Sequence, residues 1–160
     1  MLILGIDPGS VTTGYAIVKI ENASPFLIET DVIPIQSKDA PARLRELHAG
    51  LRNLIQSHKP AYMAIERVFF AKNAKTALAV SEARGVALLT GALAGLTVLE
   101  YTPLEVKKAI TGDGRADKQQ VKKMAELTLS SRLPEKKPDD AYDAVALALT
   151  CWFLERNRRE

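Results

Sequence analysis

The spacing of the first two apolar runs constrains this fold more than any other feature of the sequence. Residues 1–7 and 13–20 are both rich in aliphatic side chains, and only residues 8–12 separate them. Two strands joined by so short a turn pair as antiparallel neighbours, because a parallel pair needs a long crossover connection. A third apolar run, residues 26–35, follows. The sequence therefore predicts an antiparallel meander of three strands at the start of the chain.

Beyond the meander, helical and extended patterns alternate. The sequence predicts a helix over 41–57, a strand over 62–66, a helix over 76–94 and a strand over 97–101. Alternation of this kind is typical of parallel pairing. Further helices are predicted to begin near Thr102, Asp117 and Asp139. We expect an α/β fold with a five-stranded mixed sheet flanked by helices, formed by residues 1–160 as a single domain.

Four carboxylates stand at the ends or starts of these predicted elements. Asp7 and Glu66 each end a short apolar run, and Asp140 and Asp143 open the apolar pattern of the last helix. Neighbouring parallel strands end at the same edge of a sheet, where ligand crevices form. Residues three apart share one face of a helix. The order of elements therefore predicts that the four acids meet.

Clustered carboxylates need a cation, because like charges oppose one another's ionisation. Oxygen ligands without a Cys or His cluster favour Mg²⁺, with Mn²⁺ as a substitute. A pair of such ions can activate water and stabilise a leaving oxygen. The set Asp7, Glu66, Asp140 and Asp143 therefore predicts a two-metal site for phosphodiester hydrolysis. The positive end of the last helix is expected to keep Asp140 and Asp143 ionised.

Each acid also has an ordinary structural interpretation. Asp140 fits a helix N-cap with Asp143 at the third helical position, and Asp139 is an equally good cap. Asp7 fits a turn former after a strand, and Glu66 fits a surface acid. These interpretations weaken when the four residues are taken together.

Five segments of the sequence form a recognisable set of motifs: LGIDPGSVTTGYAIV, AIERVFFAKNAKTAL, ARGVA, GDGRADKQQV and PDDAYDAVALAL. On these motifs the chain resembles the RuvC family of Holliday junction resolvases. The resemblance implies an RNase H-like fold, a homodimer, and Mg²⁺-dependent symmetric nicking of four-way junction DNA, with the RuvA–RuvB branch-migration complex as a partner. It also places the family's catalytic acids on Asp7, Glu66, Asp140 and Asp143.

Further residues are predicted to contact DNA. The segment after Glu66 holds Phe69, Phe70, Lys72 and Asn73, which suit base stacking and phosphate contacts. Buried aromatic packing is the alternative for this segment. The resemblance favours Phe69 as the stacking residue, with Phe70 packing inward or serving the same role.

Four cations outside that segment are also candidates for DNA contact. The resemblance places Lys107 and Lys118 near the scissile phosphate. Arg115 would extend this basic surface, although a solvated helix face is the simpler explanation for it. Arg84 fits a phosphate contact or an ion pair with Glu82 or another acid.

The predicted helix over 76–94 is apolar or small almost all round. A helix of this kind is usually buried on every side, so one face is expected to meet the sheet and another a second subunit. Packing of the final helix against it within one chain is the competing explanation.

Composition sets modest bounds on function. The net charge of +3 suits a polyanionic partner without requiring one. The lone Cys151 allows no disulfide within the chain, and His48 and His58 lack the spacing of zinc ligands. The longest apolar stretch, 85–98, is short for a membrane span, so we expect a cytoplasmic protein without a membrane partner.

Two other functions fit parts of the sequence. The turn after Asp7 also resembles the phosphate loop of actin-like ATPases and sugar kinases, but a second lobe and a second phosphate loop are not visible in 160 residues. A junction-binding protein that has lost cleavage is the second alternative, and the intact set of four acids weighs against it. One departure from the family pattern is the charged residue Glu82 before Ala83-Arg84-Gly85.

Overall fold

The structure, a computed structural model, describes residues 1–67 and 74–157. Its strands are β1 (Leu2–Pro8), β2 (Thr13–Glu21), β3 (Ser24–Ile33), β4 (Tyr62–Glu66) and β5 (Thr97–Tyr101). Its helices are α1 (Ala40–His58), α2 (Ala74–Leu93), α3 (Pro103–Thr111), α4 (Lys118–Thr128) and α5 (Asp139–Asn157). The predicted elements are all present, with ends that differ by a few residues.

The five strands form one mixed sheet in the order β3-β2-β1-β4-β5. β1 pairs antiparallel with β2, and β2 pairs antiparallel with β3. β4 pairs parallel with both β1 and β5. The predicted meander and the predicted parallel strands are thereby confirmed.

A hydrophobic core covers each face of the sheet. On one face, buried residues of α5 such as Val145 and Leu149 pack with Ile3 and Val18, together with residues of α3 and α4. On the other face, α1 and α2 cover Leu4, Ile6 and their neighbours. Successive residues of β1 thus point to opposite cores, as the period of two in a strand requires.

Two glycines allow α5 to approach the sheet closely. A Cβ atom on Gly5 of β1 would lie 2.0 Å from the carbonyl oxygen of Ala144. A Cβ atom on Gly14 of β2 would lie 2.0 Å from the carbonyl oxygen of Asp140. Only residues without a side chain fit at these two crossings, which therefore fix where α5 begins relative to β1 and β2.

The helix starts follow the capping signals in the sequence. The Asp39 carboxylate accepts a hydrogen bond from the backbone N–H of Ala42 at the start of α1. Thr102 and Glu105 form a reciprocal capping box at α3. Asp117 and Gln120 form another at α4. Each capping interaction satisfies backbone donors that the first helical turn leaves without a partner.

Three large apolar side chains of α2 are exposed to solvent. Leu78, Leu89 and Leu93 are 70%, 60% and 74% exposed. Their spacing of 11 and 4 residues places them on one side of the helix. α5 lies on the opposite face of the sheet, so packing of the final helix does not account for this stripe.

By length and composition, the segment Lys75–Leu93 of α2 is apolar enough to cross a membrane. The sequence had indicated a shorter apolar stretch, displaced towards 85–98. A helix that packs in a protein core or against a partner meets the same criterion, so this finding is weak evidence for a membrane span.

Candidate active site

The ends of β1 and β4 bring two of the predicted acids together. Ile6 pairs with Ile65 in the parallel register, so Asp7 and Glu66 follow at the same edge of the sheet. The close crossing at Gly14 places the first turn of α5 beside this edge. That turn carries Asp140 and Asp143. All four acids line one cleft of about 240 Å³, together with Lys107 and Lys118.

Three of the four acids form a tight group. Asp7, Asp140 and Asp143 each offer a carboxylate oxygen, and these oxygens lie within 4.8 Å of one another. Glu66 lines the same cleft and raises the pKa of Asp7 electrostatically, but it lies outside that group. The structure therefore gives the predicted set a core of three residues and a fourth member beside them.

Two hydrogen bonds hold the acids of α5. The Thr12 hydroxyl donates to Oδ2 of Asp140 over 2.5 Å, and the Lys118 ammonium donates to Oδ2 of Asp143 over 3.0 Å. α5 begins at Asp139, so Asp140 lies inside the helix rather than at its N-cap. The capping interpretation of Asp140 is therefore replaced by a contact with the turn between β1 and β2.

Burial and mutual repulsion perturb the ionisation of the cluster. Burial, followed by the charges of Glu66, Asp143 and Asp140, raises the pKa of Asp7 to about 8. Burial also raises the pKa of Glu66, and repulsion from Asp143 adds to this. Lys118 partly offsets both effects, and its hydrogen bond to Asp143 raises its own pKa. Without a bound cation, the cleft therefore favours protonated carboxyl groups.

Burial acts on Asp143 against the expected influence of the helix dipole. Burial raises the pKa of Asp143, and the hydrogen bond from Lys118 opposes the shift without being its largest cause. Removing a carboxylate from water costs more than a helix end returns, since a helix terminus contributes only about 0.3–1 kcal/mol at exposed positions.

The donor set fits a divalent cation. Three carboxylate oxygens converge within 4.8 Å, and the side chains are oxygen ligands of the kind that Mg²⁺ and Mn²⁺ prefer. One lysine, Lys118, bonds to the group, which leaves negative charge uncompensated once the acids ionise. A bound cation would supply that compensation and lower the perturbed pKa values.

We expect the metal-free protein to lose stability as the pH rises from about 4 to about 8. The folded-state pKa of Asp7 lies above its unfolded value of 3.8, so its contribution is complete below that value and is lost as the pH passes the folded value. Asp7→Asn should therefore raise the free energy of unfolding at pH 9 by at least about 2 kcal/mol, with little effect near pH 4.

Urea unfolding in EDTA across this pH range checks that prediction. The exposed substitution Glu135→Gln serves as the control and should show no such pH-dependent gain. A constant difference between Asp7→Asn and wild type at every pH would contradict the account.

The other predicted DNA contacts are distributed unevenly. Lys107 and Lys118 line the acid cleft. Arg115 is 92% exposed at its side chain and pairs with Asp113, and it is not among the cleft residues. Phe69, Phe70, Lys72 and Asn73 lie outside the described residues. The roles proposed for all of these residues stay predictions.

Arg84 pairs with Glu100 on β5, the strand beside β4. The sequence left open whether Arg84 contacts a phosphate or forms an ion pair. The structure shows an ion pair, and Arg84 is not among the residues that line the acid cleft. Oε2 of Glu82, the residue that departs from the family pattern, lies 3.7 Å from Nη2 of Arg43 in α1. This ion pair links α1 with α2. His48 contacts Thr90, and His58 contacts Glu29.

Sequence reasoning missed Thr12 as a member of the site. It entered only as an unremarked member of the first motif and of the turn after Asp7, and its contact with Asp140 joins residues 128 positions apart. No local pattern signals such a contact. The position of Gly14, two residues further on, is the only nearby hint that another backbone approaches β2.

An acid cleft at the ends of parallel strands, in a five-stranded mixed sheet flanked by helices, is typical of metal-dependent nucleases with an RNase H-like fold. The family described as crossover junction endodeoxyribonuclease RuvC matches residues 3–151. A protein of that name from Moorella thermoacetica is 49% identical over 151 residues, covering 93% of this chain and 89% of the relative.

Two solved structures of RuvC from Thermus thermophilus are also similar. One has a TM-score of 0.89 at 30% identity and covers 99% of this chain and 97% of its own. The other, in complex with a Holliday junction substrate, has a TM-score of 0.90 at 31% identity and covers 99% of this chain and 96% of its own. The chain belongs to the RuvC family. The RNase H-like fold expected from the sequence is confirmed.

Proposed function

We propose that this protein is a Holliday junction resolvase, an endodeoxyribonuclease that makes symmetric paired nicks in four-way DNA junctions during recombination and repair. The observation that carries the proposal is the convergence of Asp7, Asp140 and Asp143, with Glu66 in the same cleft, in a member of the RuvC family. The similar protein from Thermus thermophilus, solved with a Holliday junction substrate, supports the choice of DNA.

Asp7, Asp140 and Asp143 would hold Mg²⁺, and Glu66 would offer a further carboxylate ligand. Two ions per subunit would suit the four acids. When bound, the cation activates a water molecule and stabilises the leaving oxygen. Mn²⁺ would substitute, because it accepts the same oxygen ligands. Hydrolysis would form a bond from the water oxygen to phosphorus and break the bond to the 3′ oxygen, leaving 5′-phosphate and 3′-hydroxyl ends.

Two lysines would bind the DNA backbone beside the acids. Lys107 and Lys118 line the cleft from α3 and α4. The Lys118 ammonium group donates a hydrogen bond to Asp143. The scissile phosphate would therefore compete with the Asp143 carboxylate for this ammonium group. Six further residues remain candidate DNA contacts: Phe69, Phe70, Lys72, Asn73, Arg84 and Arg115. Phosphate contacts of this kind position the DNA without reading its sequence.

The exposed stripe of α2 supports a homodimer. Leu78, Leu89 and Leu93 form an apolar face with no covering element in the described part of the chain. Closed two-fold pairing would bury this face and present two identical clefts, which suits the cutting of two symmetry-related strands.

Leu89→Asp should break that dimer. A charge in the centre of an apolar interface leaves an unpaired carboxylate without water, so association should weaken by at least about 2 kcal/mol, roughly 30-fold. Leu127→Asp is the matched control, because Leu127 on α4 is also 69% exposed. Sedimentation equilibrium measures both variants. Equal dimerisation of wild type and Leu89→Asp would contradict the assignment of α2 to the interface.

The remaining parts of the proposal are two expectations from the sequence and one from the family resemblance. By its length and composition, the chain would act as one nuclease domain over residues 1–160 in the cytoplasm. The resemblance supports the RuvA–RuvB branch-migration complex as a partner. The alternatives from the sequence are not favoured. The family match weighs against an actin-like ATPase, and the complete set of acids weighs against an inactive junction-binding protein.

The proposed function is tested by mapping cuts on a junction whose four strands are end-labelled in turn. In Mg²⁺, nicks should appear at matching positions on two opposite strands, a ligase should seal the products, and linear duplex of the same sequence should stay intact. Tight binding without nicks, over several junction sequences and with Mn²⁺ also tried, would instead support the inactive binding protein.

A further inference from the structure

Thr12 holds one of the acids from a turn that carries none of them. Its hydroxyl lies 2.5 Å from Oδ2 of Asp140, within the range of short O–H···O⁻ hydrogen bonds. A hydroxyl facing a carboxylate donates, so Oδ2 of Asp140 accepts this bond, while Oδ1 accepts no hydrogen bond within residues 1–67 and 74–157. The bond crosses from the turn between β1 and β2 to the first turn of α5.

Backbone contacts on both sides bring these two residues together. A Cβ atom on Gly9 would lie 2.2 Å from the carbonyl oxygen of Thr12, so the turn closes this tightly only with glycine. The crossing at Gly14 presses the carbonyl of Asp140 against β2. The Thr12 hydroxyl is therefore delivered to Asp140 by the fold itself rather than by a flexible side chain reaching across a gap.

Asp140 needs such a restraint because its neighbours repel it. Asp143 receives a hydrogen bond from Lys118, and that cation offsets part of the repulsion there. Asp140 receives its hydrogen bond from a neutral group. Without Thr12, the carboxylate would gain by turning away from Asp7 and Asp143 towards water, and the three oxygens would no longer converge.

We propose that Thr12 is a positioning residue that fixes Asp140 as a one-oxygen ligand in the metal cluster. The hydrogen bond from Thr12 would restrain Oδ2 and leave Oδ1 for the cation shared with Asp7 and Asp143. Groups that orient metal ligands contribute about 10- to 100-fold to metal affinity. This inference rests on the proposed function, because it takes the acid cluster to be a metal site.

The neighbouring Thr13 provides a matched control for the same chemical change. Thr13 is 1% exposed, and its hydroxyl has no hydrogen-bond partner within residues 1–67 and 74–157. Thr13→Val therefore removes a hydroxyl beside the site without removing a hydrogen bond to an acid. Thr12→Ser keeps the hydroxyl and removes only the methyl group.

The test is binding of Mn²⁺ alone to the protein without DNA, measured by electron paramagnetic resonance, with unfolding temperature in EDTA recorded for each variant. Thr12→Val should weaken Mn²⁺ binding by about 10-fold, while Thr12→Ser and Thr13→Val should bind much like wild type. The unfolding temperatures in EDTA should change little, since the contact is a partly exposed one.

Four results would overturn the inference. Wild-type affinity in Thr12→Val would show that the hydroxyl does not position Asp140. Equal weakening in Thr12→Ser would show that the methyl group, not the hydroxyl, carries the effect, and equal weakening in Thr13→Val would show a general disturbance of the turn. Absence of Mn²⁺ binding in the wild type would instead remove the proposed metal site, and the role of Thr12 with it.

Discussion

Asp7→Asn should reduce junction cleavage by about a thousandfold or more while leaving junction binding largely intact. Asp7 belongs to the three-acid group and lies near the end of the central strand β1, so the sheet positions its carboxylate. Asparagine keeps the size of the side chain and removes its charge. The loss should therefore fall on metal binding and hydrolysis rather than on folding.

Single-turnover cleavage and a gel shift of the same junction in EDTA separate these effects. Asp139→Asn is the matched control, because Asp139 precedes Asp140 in α5 but is not part of the three-acid group. Cleavage by Asp139→Asn should change little. Substantial cleavage by Asp7→Asn, or an equal loss in Asp139→Asn, would contradict the assignment of Asp7.

Gly14→Ala should destabilise the protein by about 3 kcal/mol or more. The added Cβ atom would lie 2.0 Å from the carbonyl oxygen and 2.3 Å from the carbonyl carbon of Asp140. Both are backbone atoms of α5, so no side-chain rotation relieves the clash. α5 would have to withdraw from β2, and Asp140 and Asp143 would move away from Asp7.

Urea unfolding measures the loss of stability, and cleavage well below the unfolding temperature measures the loss of geometry. Lys19→Ala on the same strand is the control, because Lys19 is 44% exposed at its side chain and pairs only with Glu21 on the surface. That pair should contribute less than about 1 kcal/mol. If Gly14→Ala were as stable and as active as Lys19→Ala, the close crossing of α5 and β2 would be wrong.

The sheet was predictable because its signals are local. The short connection of residues 8–12 required antiparallel pairing, and the alternation of helix and strand required parallel pairing. Asp7 and Glu66 could therefore be placed at one sheet edge before the structure was known. Their apolar runs determined both the strands and the points at which those strands end.

The details of the site were not predictable, because they depend on contacts between distant parts of the chain. The hydrogen bond from Thr12 to Asp140 joins residues 128 positions apart, and Arg84 of α2 forms an ion pair with Glu100 of β5. The pKa of Asp143 likewise depends on tertiary structure. The direction of the shift in the Asp143 pKa depends on the burial of its carboxyl group, which a helix-capping pattern does not encode.

The exposed apolar stripe on α2 is a further feature whose surroundings the sequence alone did not determine. The sequence indicated a helix apolar almost all round, and it left open whether a second subunit or α5 covered the outer face. The structure places α5 across the sheet and leaves Leu78, Leu89 and Leu93 exposed. Only the relative placement of two helices, which no local pattern specifies, separated these possibilities.

Adding Mg²⁺ to a preformed complex of the wild-type protein and a labelled four-way junction in EDTA tests the central claim most directly. Before the addition, the junction should be bound and uncut. After free Mg²⁺ exceeds the chelator, paired nicks should appear on two opposite strands. Nicking before the addition, or a bound junction that stays uncut in Mg²⁺ and in Mn²⁺, would contradict a metal-dependent resolvase centred on Asp7, Asp140 and Asp143.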